Sequence, residues 1–306
     1  MVAVSGKQIW LDGRFVDWSD AQVHVLTHTL HYGLGVFEGI RCYRTTDARS
    51  AVFRLSEHVR RLYDSARINL IEVPIPQSEL EEVCLETLRR NGLAEGYLRP
   101  LAFIGDGEMG LNPGGNAIRV VVAAWAWGRY LGEEGMERGI RAKVSTFSRH
   151  HVNSKMTKGK TCGDYVNSIL AKREALLDGY DEAIMLDPQG LVSEATGENL
   201  FLVRDGVLAT PSLHSVLGGI TRATVIEIAR DKGIPVEERT ITRDELYVAD
   251  EVFLTGTAAE VTPIREIDRR VIGAGARGPI ASTLQKAFFD VVTGCDPKYE
   301  SWLTYL

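Results

Sequence analysis

Apolar side chains along this chain follow two rhythms, one helical and one alternating. Ile9-Trp10-Leu11 and Phe15-Val16 flank Asp12-Gly13, a two-residue turn signal that predicts a β-hairpin at the start of the fold. Leu55, Val59, Leu62 and Ala66 return every three or four residues, so an amphipathic helix is expected over 55–68. On its wheel Arg60 points nearly opposite the apolar stripe, whereas Arg61 lies on the stripe's edge beside His58 and Ser65 and is the arginine able to reach inward. A second helix is predicted over 78–91, with Ser78 as N-cap, Glu81 three residues on and Gly92 past its end. Residues 97–103 alternate as a strand, which sends Tyr97 and Arg99 to one face. Behind the glycine-rich loop 105–116, the near-continuous apolar run 117–127 reads as a buried strand.

Gly128, Gly132 and Gly135 among polar residues mark the clearest shift of composition. The shift predicts a small N-terminal domain over 1–127, a linker over 128–135 and a large C-terminal domain over 136–306. In the latter, 140–147 alternates as a strand, and a helix capped by Asp164 runs through Tyr165, Ile169 and Leu176. Hairpins are expected at Asp187-Pro188-Gln189-Gly190 and at Asp205-Gly206. Between their apolar strands lies the polar segment Val192-Ser193-Glu194-Ala195-Thr196-Gly197-Glu198-Asn199, and polar groups so placed usually serve a site. A helix over 223–232 takes Thr221 as N-cap after Gly218-Gly219-Ile220, and the strand 251–254 leads into Thr255-Gly256-Thr257-Ala258-Ala259. Both segments are anion-binding candidates, through a helix N-terminus in one and hydroxyls and backbone N–H groups in the other.

Two patterns do not lead where they first point. Gly33-Leu34-Gly35-Val36-Phe37-Glu38-Gly39 resembles a dinucleotide fingerprint, but its third glycine is one residue late and no apolar strand precedes it. It reads as a turn into a strand over 39–43, with Tyr32 and Phe37 as pocket walls. His24 and His28 have the spacing of metal ligands on one helix face, yet no HExxH glutamate or cysteine partner accompanies them. Packed or hydrogen-bonded histidines are expected, and no metal.

With 306 residues, 44% hydrophobic and 25% charged, the chain has the composition of an ordinary globular protein. A net charge of -6 and a pI near 5.7 argue against a nucleic-acid partner, which needs concentrated Lys and Arg. Cys42, Cys84, Cys162 and Cys295 are scattered and form no CxxC pair, so a reducing cytoplasm is the expected setting rather than a disulfide framework. No stretch of about 18 apolar residues occurs, so no membrane association is expected.

The chemistry centres on Lys155-Met156-Thr157-Lys158-Gly159-Lys160-Thr161-Cys162-Gly163-Asp164-Tyr165, where lysine precedes a turn and the start of a helix. Two chemistries want a lysine there: a nucleotide phosphate loop, and a Schiff base to an aldehyde cofactor. Gly159-Lys160-Thr161 matches the end of GxxxxGK[ST], but the first position is Ser154 instead of glycine, and a phosphate cradle needs that glycine for its N–H groups to converge. The Schiff-base reading explains more of the surrounding residues.

In order, the segments around His58 to Leu62, Tyr97 to Pro100, Lys160 to Tyr165, Ser193 to Phe201, Gly219 to Arg222 and Gly256 to Glu260 resemble the branched-chain amino acid aminotransferases, pyridoxal 5'-phosphate enzymes of fold type IV. The likeness runs from about Trp10 to about Phe289. It implies an α+β, two-domain fold, with a small N-terminal α/β domain and a larger, β-barrel-like C-terminal α+β domain. It implies that Lys160 carries the cofactor and shuttles the proton, that Glu194 pairs with the pyridine nitrogen, that Tyr165 meets the 3'-oxygen and that Asn199 supports the set. Arg61, Thr221 and Thr257, with the backbone of Ile220, would hold the phosphate. Tyr97 and Arg99 would receive the substrate carboxylate, with Thr257, Ala258 and Ala259 beside it. Phe37, Trp127 and Tyr130, with Tyr32 and Leu111 from a neighbouring subunit, would form the apolar pocket.

The implied activity is reversible amino-group transfer from Leu, Ile or Val to 2-oxoglutarate by a homo-oligomer of at least two chains. Within the same fold the rivals are a D-amino acid aminotransferase, an (R)-amine transaminase and an aminodeoxychorismate lyase; Tyr97 with Arg99 on one face favours the branched-chain enzyme. Outside it stand a phosphate-loop nucleotide hydrolase and a cofactor-binding protein without turnover. Cys162, Asp164 and Gly218 depart from the commoner glycine, asparagine and proline at those places.

Overall fold

The computed structural model describes residues 4–128 and 131–306, and of Glu133 the backbone alone. In chain order the strands are β1 (Gln8–Leu11), β2 (Arg14–Asp17), β3 (Gly35–Phe37), β4 (Ile40–Arg44), β5 (Ser50–Phe53), β6 (Gly96–Ile104), β7 (Ile118–Trp125), β8 (Ile140–Val144), β9 (Glu182–Leu186), β10 (Val192–Ala195), β11 (Asn199–Arg204), β12 (Val207–Pro211), β13 (Val236–Arg239), β14 (Glu251–Gly256), β15 (Glu260–Ile267), β16 (Arg270–Val271) and β17 (Leu303–Tyr305). The helices are α1 (His28–Tyr32), α2 (Leu55–Ile68), α3 (Gln77–Asn91), α4 (Gly132–Arg138), α5 (Tyr165–Leu177), α6 (Ile220–Asp231), α7 (Arg243–Val248) and α8 (Pro279–Val292). This mixture of helix and sheet forms two compact units. Of the described residues, one gathers 4–128 with 159–164 and 291–306, the other 131–158 with 165–290.

The first unit is built on an antiparallel sheet in the order β17-β5-β4-β6-β7-β1-β2, with β3 also paired to β6. Its opening hairpin turns at Asp12 (φ 48) and Gly13 (φ 93), the left-handed pair that a tight two-residue hairpin requires. Helix α2 has the expected bounds, and its stripe of Leu55, Val59, Leu62 and Ala66 is buried against Leu80, Cys84 and Leu88 of α3 and against Ile40, Leu98 and Val122 of the sheet. Each large aliphatic side chain buried there contributes about 1.5–3 kcal/mol.

Helix α3 begins at Gln77, with Pro76 as its N-cap in place of the expected Ser78, because the ring of Pro76 already holds φ at -72. Gly35–Phe37 is strand β3, so the expected turn before residue 39 is shorter than read. Strand β7 alternates instead of being buried throughout. Val120, Val122 and Ala124 enter the core, while Val121 and Ala123 lie half-buried on the other face. That face also carries Tyr97 and Arg99, through the pairs Tyr97 with Trp125 and Arg99 with Ala123.

The second unit has its own sheet, in the order β10-β9-β8-β15-β14-β11-β12-β13, with β16 beside β15. The hairpins at Asp187 to Gly190 and Asp205-Gly206 form as expected, β9 with β10 and β11 with β12. Helix α5 forms as expected and buries Ser168, Ala171 and Ala175, the two alanines against Ala183 and Met185, while Ile169 and Leu176 are more than half exposed. Small side chains let the helix backbone lie close to β9, and the larger ones then have no room on that side. Helix α6 starts at Ile220 with Gly219 as N-cap, so Thr221 sits inside its first turn and not at the cap. Glu251 caps α8, its Oε1 accepting the N–H of Ile280 at 2.9 Å and its Oε2 that of Ala281 at 2.7 Å. Among the described residues no helix is long and apolar enough to cross a membrane.

Candidate active site

In the first unit the segment 159–164 is clamped by its backbone. The N–H of Lys160 donates to Ser65 Oγ at 2.9 Å, Phe37 N–H donates to the Lys160 carbonyl at 3.2 Å, and Gly163 N–H donates to the Gly33 carbonyl at 3.0 Å. The Lys160 amide, committed to Ser65, does not face a phosphate, which speaks against the phosphate-loop reading as Ser154 does in the sequence. What the clamp leaves for chemistry is the side chain. The Nζ of Lys160 stands 4.9 Å from the centroid of the Phe37 ring, and the guanidinium carbon of Arg99 stands 4.8 Å from the same centroid.

Around Arg99 lie Tyr97 and Trp125, and Trp127 meets Tyr97 edge-on at 4.6 Å. The Nε of Arg99 is buried without a hydrogen-bond partner, an unmet donor that suits a carboxylate. Arg41 steadies the far end of this wall, its Nη1 and Nη2 donating to the carbonyls of Trp127 and Gly128 at 3.2 and 3.0 Å.

Helix α2 faces the lysine segment with the arginine that the wheel selected. Arg60 is exposed, while Arg61 forks the wholly buried Glu38, Nε to Oε1 at 2.6 Å and Nη2 to Oε2 at 2.9 Å. Burial pushes the Glu38 carboxyl up, but Arg61 and His58 more than offset it and hold the group well below the usual carboxylate range. His58, 2.7 Å from Glu38 Oε2 through Nδ1, is pushed down by its own burial against the upward pull of Glu38.

The acid expected for a ring nitrogen is in the second unit. Glu194 of β10 is buried; its Oε1 pairs with Arg149 Nη2 at 2.6 Å, and its Oε2 accepts from Asn199 Nδ2 at 3.4 Å and from Leu217 N–H at 3.3 Å. Asn199 Nδ2 also donates to the Leu217 carbonyl at 3.0 Å, tying the acid's strand to the loop that leads into α6. Lys158 donates to the Val216 carbonyl of that loop at 3.0 Å, and burial lowers its pKa. Next to Glu194, Glu198 is fully buried near Glu182, and its carboxyl is pushed up to about 8 by burial first and by that neighbouring charge second.

The N-terminus of α6 presents Ile220 and Thr221 with no side-chain cap, and Thr255 Oγ1 is buried without a partner just before Thr257 and Ala258. Backbone here is bare by necessity: a Cβ on Gly219 would collide with Asn199 Oδ1. Tyr165 opens α5. Tyr32 and Leu111 of the first unit are exposed, the latter by 93%. Tyr130 lies outside the described residues. Among the described residues no cluster of His, Cys, Asp or Glu is placed to hold a metal; His28 packs instead with its Nε2 at 2.7 Å from the Gly110 carbonyl.

Arg149, Glu38 and Ser65 were not singled out by the sequence as site residues. The only local trace of Ser65 is its place beside Arg61 on the helix wheel. By residue type, the amine and the arginine of the first unit, and separately the buried acid and the helix N-terminus without a side-chain cap in the second, are the donors that an aldehyde-bearing, phosphorylated pyridine takes.

Comparison with known proteins agrees. The family model for amino-transferase class IV matches residues 35–267. The chain is 51% identical over 296 residues to the branched-chain-amino-acid aminotransferase of Pseudomonas aeruginosa, covering 97% of this chain and 96% of that one. The crystal structure of the Escherichia coli branched-chain amino acid aminotransferase superposes with a TM-score of 0.96 at 47% identity, over 98% of this chain and 99% of that one. The branched-chain amino acid aminotransferase of Thermobaculum terrenum, in its PLP-bound holo form, gives a TM-score of 0.92 at 35% identity, over 98% of both chains.

Proposed function

The chain belongs to the class IV branched-chain aminotransferases, and on that premise we propose that it transfers the amino group of L-leucine, L-isoleucine or L-valine to 2-oxoglutarate. It is a pyridoxal 5'-phosphate enzyme. The bound cofactor supplies the electron sink that makes the substrate Cα–H acidic. The residues of this chain do the rest. Lys160 would carry the cofactor on Nζ and, once released by the substrate, would move the proton between the substrate Cα and the cofactor's C4'. Glu194, paired with Arg149 and steadied by Asn199, would meet the ring nitrogen, and Tyr165 the 3'-oxygen. Arg61, Thr221, Thr257 and the N–H of Ile220 hold the phosphate.

Tyr97 and Arg99 take the substrate carboxylate, and Ala258 and Ala259 lie along it. Phe37, Trp127 and Tyr130 wall the apolar side, and Tyr32 and Leu111, exposed in one chain, complete it from a second copy in a homodimer. None of Cys42, Cys84, Cys162 and Cys295 is held in a disulfide, which fits action in a reducing cytoplasm.

The observation that carries the reading is the Phe37 ring shared by Lys160 and Arg99, which sets a reactive amine beside a carboxylate receptor, as an α-amino acid requires. The purified holoenzyme is expected to be yellow and to bleach with L-leucine. Borohydride reduction should leave a covalent adduct on Lys160, and Lys160→Ala should abolish turnover. Bleaching by D-alanine or a simple amine but not by L-leucine overturns the substrate assignment.

A further inference from the structure

Ser65 has no part in the chemistry proposed above, yet it stands where α2 meets the lysine segment. It lies wholly buried one turn after Arg61. Its Oγ donates to the Arg61 carbonyl at 2.7 Å and accepts the Lys160 N–H at 2.9 Å. A single hydroxyl therefore joins the main chains of the two residues, in the sequence Lys160 N–H to Ser65 Oγ–H to Arg61 C=O. The next turn repeats the grip. Asn69 Nδ2 donates to the Ser65 carbonyl at 2.8 Å and to Thr161 Oγ1 at 3.1 Å. Gly159 permits the approach, since a Cβ there would come within 3.1 Å of that same Nδ2. From the other side Phe37 N–H holds the Lys160 carbonyl, and Glu38 fixes the Arg61 guanidinium by its fork.

We propose that Ser65 is a positioning residue that sets the spacing between Lys160 and Arg61, so that one ligand is gripped at its aldehyde by the amine and at its phosphate by the guanidinium. The inference rests on the roles proposed for Lys160 and Arg61. Two grips on one rigid ligand tolerate about half an ångström of error, and a side chain already bonded to both main chains is the element able to hold that tolerance. The linkage requires Ser65 to act as donor and acceptor at once, which a hydroxyl does and a methyl does not.

The test compares two ligands on the apoprotein. Pyridoxal 5'-phosphate uses both grips, whereas pyridoxamine 5'-phosphate lacks the aldehyde and uses the phosphate grip alone. Ser65→Ala is expected to weaken pyridoxal 5'-phosphate binding by about tenfold or more and pyridoxamine 5'-phosphate binding by about threefold or less. Ser65→Thr, whose hydroxyl still reaches the carbonyl one turn back in a helix, should restore most of the difference. Equal weakening of both ligands, or no weakening, overturns the proposal.

If Ser65→Ala does not fold, Asn69→Ala is read by the same ratio with the same overturning result. Failure of the underlying roles looks different. Arg61→Met would then leave pyridoxamine 5'-phosphate binding unchanged, or borohydride would leave the wild-type Lys160 unlabelled.

Discussion

Arg149 Nη2 stands 2.6 Å from Glu194 Oε1, with both side chains about nine-tenths buried. Removing one member of a buried ion pair leaves the other's charge desolvated, which costs about 3–5 kcal/mol. Arg149→Met is therefore expected to lower Tm by about 6 °C or more and to weaken cofactor retention. Arg149→Lys, which keeps the charge and loses the planar fork, should fall between it and wild type. Thermal melts of apo and holo forms check this; a melt equal to wild type contradicts it.

Glu198 gives a prediction of opposite sign. Its native carboxyl keeps a proton up to about pH 8, whereas the unfolded chain releases it near the ordinary carboxylate value. The native state binds more protons over that window, so stability falls as pH rises through it, by about 1.4 kcal/mol per pH unit at most, and levels off above. Glu198→Gln lacks this titration. The variant should match wild type near pH 4.5 and exceed it increasingly toward pH 8 in denaturant titrations. A constant difference across that range contradicts the assignment.

Glu38 titrates the other way. Its carboxyl is held far below the ordinary value, so the stability it contributes is fully present above that value and lost as pH falls below it. Glu38→Gln should destabilise at pH 7 by about 3–5 kcal/mol, leave Arg61 unoriented and reduce cofactor affinity. The gap to wild type should narrow on acidification. Chemical denaturation at neutral pH and again well below the ordinary carboxylate pKa measures it, and an unchanged gap between those two conditions contradicts it.

Gly39 tests the carboxylate receptor without touching a charged group. A Cβ at this position would collide with the phenolic oxygen of Tyr97, so Gly39→Ala must displace that ring. The expected result is a rise in KM for L-leucine of about tenfold or more, with cofactor absorption and Tm near wild type. An unchanged KM would mean that Tyr97 does not meet the substrate.

What could be read along the chain was what depends on neighbours in sequence. The Asp12-Gly13 turn, the stripe of α2 and the choice of Arg61 over Arg60 follow from local periodicity, and all three hold. The buried face of α5 is not legible in this way. The approach of β9 buries small Ala171 and Ala175 and leaves the larger Ile169 and Leu176 exposed. Glu38, Arg149 and Ser65 escaped for a related reason. Their partners lie 23, 45 and 95 residues away, and an isolated glutamate, arginine or serine carries no mark of the contact that will fix it.

The outer strand of the first sheet, β17, pairs with β5 in the register Leu303 to Phe53, a partner translated some 250 residues earlier. During synthesis the β5 edge therefore waits, with its N–H and C=O groups unpaired, until nearly all of the second unit has left the ribosome. A nascent chain stalled or cleaved before residue 303 would carry an open strand edge, a template for pairing with other chains. Removal of residues 303–306 is thus expected to lower soluble yield more than it lowers the melting temperature of whatever protein is recovered.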